Sequence, residues 1–133
     1  MSVKQEVTFD KYNWKIYIYY TVNPSLRQEI LKTLSDLECS KGIIDLIKRN
    51  LSNCAIDTGF TYSNYGAKFT LMVIHKASSI GEFVNTFEHE KNHLLMHICE
   101  AEDVNPYSEE AAHAMGELSQ LILEQALCSI VAI

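Results

Sequence analysis

Proline and glycine are scarce, at 2 and 5 of 133 residues. That excludes collagen-like and Pro/Gly-rich low-complexity classes. No apolar run approaches the roughly 20 residues that a membrane span needs. Residues 1–11 mix charges with single apolar residues and do not form the unbroken apolar segment of a signal peptide. Basic residues are also few, 11 Lys+Arg against 17 Asp+Glu, for a formal net charge of -6. The closest basic pair, Lys48-Arg49, stands alone. Nucleic-acid binding depends on clustered cations that neutralise phosphates. Nucleic acid and membrane are therefore not expected partners, and the expected address is cytoplasmic. The four cysteines, Cys39, Cys54, Cys99 and Cys128, include no C-x-x-C pair. They read as reduced, mostly buried thiols.

What is present suits a single domain over 1–133. Hydrophobic residues make up 47% of the chain, enough for a continuous core. Residues 14–22, WKIYIYYTV, are rich in β-branched and aromatic types and predict a strand. Trp14, Ile16, Ile18, Tyr20 and Val22 share one face of it. Asn23-Pro24 then reads as a helix start, and Leu26, Ile30, Leu34 and Leu37 recur at helical spacing. A second helix is expected from Ser40, carrying Ile43, Ile44, Ile47 and Leu51. Two strands, 55–62 and 67–75, flank the turn signal Ser63-Asn64-Tyr65-Gly66 and predict a hairpin. The second has apolar residues on both faces, as a central or covered strand does. Ser79-Ile80-Gly81-Glu82 fits a capping box, so a helix should run from Ile80 to about Glu100. After a break at 103–106, a last helix is expected from 106–108 to about Leu127. The predicted fold class is α+β, a small antiparallel or mixed sheet packed on helices, in the order β-α-α-β-β-α-α.

Within the capped helix lies His89-Glu90-Lys91-Asn92-His93, the pattern H-E-x-x-H. Residues at i and i+4 sit on one helix face a turn apart, so two imidazoles can converge on one ion. Glu90 lies beside that face, within reach of a water on the metal. Zinc lowers that water's pKa towards ~7, and a carboxylate can then take its proton as general base. The expected cofactor is one Zn2+ per chain, held by His89 and His93.

A third ligand is needed. The longer form, H-E-x-x-H-x-x-G-x-x-H, is not met, because Met96 stands at the glycine position and Cys99 at the third histidine. His97 continues the stripe of His89 and His93. It lies two turns from His89, roughly 12 Å along the axis, so the three cannot share one ion. It reads as a hydrogen-bonded or partly exposed histidine. The other option is a carboxylate from the last helix, where Glu109 and Glu110 occupy the first turn among small residues. Acids there also complement the helix dipole. Adjacent residues are about 100° apart around the axis, so only one of the two can be a ligand.

Residues 67–120 resemble the small gluzincin-type zinc metallopeptidases, the minigluzincins, and short H-E-x-x-H proteins of phages and mobile elements. The resemblance rests on H-E-x-x-H and on a downstream pattern similar to E-x-x-A-[aromatic]-x-x-G, matched by Glu109, Ala112 and Gly116. It implies a zincin-like fold, a peptide or protein substrate and Glu109 rather than Glu110 as third ligand. His113 stands at the aromatic position and is a candidate donor to the transition state. Strand 68–75, if it formed the sheet edge over the cleft, would pair with an extended peptide. The expected function is zinc-dependent peptide hydrolysis with Glu90 as base. The alternative is a metal-binding interaction module of the same fold with little activity.

Overall fold

A computed structural model describes residues 3–20, 27–36, 41, 44–45, 59–75 and 77–131. Strand β1 (Val3–Phe9) and strand β2 (Trp14–Tyr20) form an antiparallel hairpin. A 3-10 turn, Asp10–Tyr12, joins them. Asn13 closes that turn in the left-handed region, φ 52°, and donates its N–H to the Asp10 carbonyl at 3.1 Å. Asparagine tolerates that conformation better than most side chains. Helix α1 (Arg27–Asp36) follows. Strands β3 (Phe60–Asn64) and β4 (Phe69–Ile74) make a second antiparallel hairpin. Two long helices, α2 (Ile80–Ala101) and α3 (Glu109–Val131), complete the chain.

The four strands form one mixed sheet in the order β1-β2-β4-β3, with β2 and β4 parallel. The molecule is α+β. The expected element order lacked β1. Its sequence, VKQEVTF, puts Lys4, Glu6 and Thr8 on one face and interrupts the other, Val3, Val7 and Phe9, with Gln5; it gains its place by pairing along the whole of β2. The helix expected from Ser40 and the first residues of strand 55–62 lie largely outside the described residues.

The alternation read in β2 builds the core. Trp14, Ile16, Ile18 and Tyr20 are fully buried with Met72 and Ile74 of β4, beneath Leu94 and Ile98 of α2 and Leu118 and Ile122 of α3. Each large apolar side chain so buried contributes about 1.5–3 kcal/mol. On the opposite face Tyr19, Leu71 and Val73 are covered by Ile30 and Leu34 of α1. Strand β4 is thus internal and buried on both faces. It cannot be the strand that opens to a peptide; among the described residues the edge next to it is β3.

The cap of α2 is as expected in part. The Ser79 hydroxyl accepts from the Glu82 N–H at 3.1 Å, while the Glu82 carboxylate accepts from the Ser78 hydroxyl at 2.6 Å. Ser79→Ala should therefore cost about 1 kcal/mol, read as a lower urea midpoint at unchanged slope. An unchanged midpoint would remove the cap from the account of why α2 starts here.

Candidate metal centre

The histidine pair sits midway along α2. The Nε2 atoms of His89 and His93 are 3.2 Å apart, with ring centroids 4.8 Å apart. Two imidazoles on one tetrahedral zinc, at bonds of about 2.0–2.1 Å, hold their nitrogens about 3.3 Å apart. The pair therefore fits two positions of such an ion. Both side chains are exposed, so an ion would approach from solvent.

Glu90, about 100° around the helix from His89, is buried, 4% exposed. Its Oε1 accepts from the Thr61 hydroxyl at 2.9 Å. The same hydroxyl lies 3.2 Å from the Glu90 carbonyl, so one β3 side chain clasps both ends of the residue. Oε2 remains on the histidine side, 4.0 Å from His89 Nε2. Gly59, just before β3, packs against this carboxylate: a Cβ built there would lie 3.3 Å from Oε2. Thr61 and Gly59 were not identified from sequence as site residues. The only signal for Thr61 was the alternation of Thr61 and Ser63 with Phe60 and Tyr62, which puts the two hydroxyls on the α2 face.

His97 lies farther along the same flank, its ring 6.4 Å from that of His93. It is half-buried, and Nδ1 is 2.7 Å from the Ser63 hydroxyl. Burial, with the neighbouring His93, pushes its pKa below the ordinary histidine value. The hydrogen-bonded reading of this residue holds. An open groove of about 550 Å³ runs along β3 beside it, lined by Thr61, Tyr62, Ser63, Asn64, Tyr65 and His97.

The start of α3 does not join this cluster. Glu109 is at the surface, its side chain 86% exposed, and its nearest ionic neighbour is His113 at 3.6 Å. Glu110 accepts from the Tyr12 hydroxyl at 2.9 Å, and burial together with this carboxylate pushes the Tyr12 pKa up to about 12. His113 is likewise exposed and paired with Glu109. Among the described residues no group of three His, Cys, Asp or Glu side chains comes together as a metal-binding set. Helical geometry gives the reason. The Lys91 ammonium bonds Ser119 of α3, so α3 packs on the Lys91 side of α2. Lys91 lies about 200° around the axis from His89 and about 160° from His93. The histidines therefore face away from α3, along the β3 flank. Glu109 as third ligand and His113 as donor are placed apart from the histidine pair.

Cys99 is a free, buried thiol, as read from sequence; the other three cysteines lie outside what is described of the side chains. No described helix is long and apolar enough to cross a membrane. No family model, no curated protein and no solved structure matches the chain.

Proposed function

We propose that the chain is a zinc-dependent hydrolase of peptide bonds, with a zincin-like site on α2. The observation that carries this is the convergence of His89 Nε2 and His93 Nε2 to 3.2 Å with the buried Glu90 carboxylate beside them. His89 and His93 would hold the ion. A bound zinc supplies a polarising centre for a carbonyl and a water of lowered pKa.

The chain's own residues do the rest. Thr61 fixes Oε1 of Glu90 and leaves Oε2 as the proton acceptor. Burial keeps that carboxylate from turning into solvent, so it stays oriented between turnovers. Among the described residues β3 is the outermost strand on that side of the sheet, one strand further out than expected, and it would offer main-chain groups to an extended peptide. Such a peptide would cross the histidine pair because Thr61 and Ser63 tie β3 to Glu90 and His97.

The second reading, a metal-binding interaction module, is favoured by one observation: Glu109 does not complete the ligand set. Equilibrium dialysis against zinc, followed by metal analysis and incubation with an unbiased peptide mixture, separates the cases. The peptidase reading expects about one zinc per chain and new peptide termini. Zinc without cleavage favours the module. No bound zinc ends both.

A further inference from the structure

Four side chains form a hydrogen-bonded line from the core to the groove on β3. The Trp14 indole N–H reaches Thr70 Oγ1 at 2.8 Å. Thr70 Oγ1 is 2.6 Å from Ser63 Oγ, and Ser63 Oγ is 2.7 Å from His97 Nδ1. Indole nitrogen only donates. Thr70 is fully buried, and Ser63 is its other side-chain partner, so its hydroxyl proton must go to Ser63. Ser63 then gives its own proton to His97. The reverse direction would strand a hydroxyl proton in the core, where an unmade hydrogen bond costs most.

That order makes Nδ1 of His97 the acceptor, so the imidazole is neutral with its proton on Nε2. We propose that His97 is a substrate-anchoring residue whose Nε2–H, set by the Trp14–Thr70–Ser63 line, donates to an uncharged acceptor side chain (Asn, Gln, Ser or Thr) of an extended peptide on β3. This rests on the peptidase reading. The register follows from the strand. Thr61 and Ser63 are two residues apart on one face and touch Glu90 and His97 in turn. A peptide strand beside β3 projects alternate side chains onto the same face. The 6.4 Å from the His93 ring to the His97 ring is about two residues of extended chain. The anchored side chain is therefore two residues from the cleaved bond. Glu100, which accepts from the Tyr65 hydroxyl at 3.0 Å at the end of the same groove, disfavours a carboxylate there.

Two measurements on the full chain test this. Long-range proton–nitrogen NMR at pH 7.5 should show His97 as the Nε2–H tautomer, and as a tautomer mixture in Ser63→Ala. An Nδ1–H form in the unsubstituted protein overturns the proposal. Second, zinc-loaded Glu90→Gln protein is mixed with a randomised peptide library, and the retained peptides are sequenced. One position should favour Asn, Gln, Ser and Thr. That preference should fall about five-fold with His97→Phe added, the scale of one neutral hydrogen bond, and persist with His97→Gln. Ser63→Ala, which keeps the imidazole but frees it, should weaken the preference too. Equal preference in all of these overturns the role of His97 and leaves peptide binding intact. No retained peptide at all overturns the peptidase reading, and this inference with it.

Discussion

On the proposed reading, Glu90→Gln should still bind zinc but show hydrolysis lower by about 10²–10⁴-fold, the usual contribution of a positioned general base. The amide matches the carboxylate in size and can still accept from the Thr61 hydroxyl through its oxygen. What it cannot do is take a proton from water. The contrast is His93→Ala, which removes one of two nitrogens now 3.2 Å apart and should leave metal content near zero. Metal analysis and cleavage of a peptide mixture, run on both variants, read the two effects separately. Zinc lost from Glu90→Gln would make that carboxylate a ligand, and the assigned mechanism would fail. Zinc retained in His93→Ala would dissolve the site altogether.

Gly59→Ala should destabilise the fold by about 3 kcal/mol, towards the upper end of what added core atoms cost. A Cβ there would lie 2.4 Å from the Val73 carbonyl oxygen and 3.0 Å from Glu90 Cγ. The first is a backbone atom of the internal strand β4 and cannot swing aside as a side-chain end can. Urea unfolding gives the loss, and cleavage of the same peptide mixture gives its second consequence. Any relief obtained by moving α2 shifts Glu90, so activity in the remaining folded protein should fall as well. A variant as stable and active as the parent would mean that the entry to β3 is looser than these distances imply.

Much of the scaffold was legible from the residues. The alternation of Trp14, Ile16, Ile18 and Tyr20 marked a buried face, and the apolar residues on both sides of β4 marked an internal strand. Ser79 marked the start of α2 because a serine oxygen can satisfy a free amide at a helix end. The i, i+4 spacing of His89 and His93 put both side chains on one helix face, close enough for their rotamers to bring the nitrogens together. Contacts between elements were not legible. Glu109 was singled out by the resemblance of its surroundings to E-x-x-A-[aromatic]-x-x-G, but which flank of α2 that helix covers is decided by packing around Lys91 and Ser119. Thr61 escaped notice for the same reason: a threonine in a strand has no local mark of the carboxylate it will meet. β1 was not legible because Gln5 breaks its short apolar face, and Lys4 and Glu6 on the other face are ordinary for a solvent-facing edge.

The parallel pairing of β2 with β4 has a kinetic consequence. Both hairpins join residues close in sequence and can close quickly, and so can the packing of α2 on α3. Lys15 meets Phe69 across 69 − 15 = 54 positions, and that closure must be made before the sheet is continuous. Loop-closure entropy is lost ahead of the contacts that repay it, which is the circumstance that slows folding in proteins of non-local topology. Until it is made, β4 presents one bare edge to solvent. Until then that edge and the facing edge of β2 add to the strand edges through which one copy of the chain can pair with another.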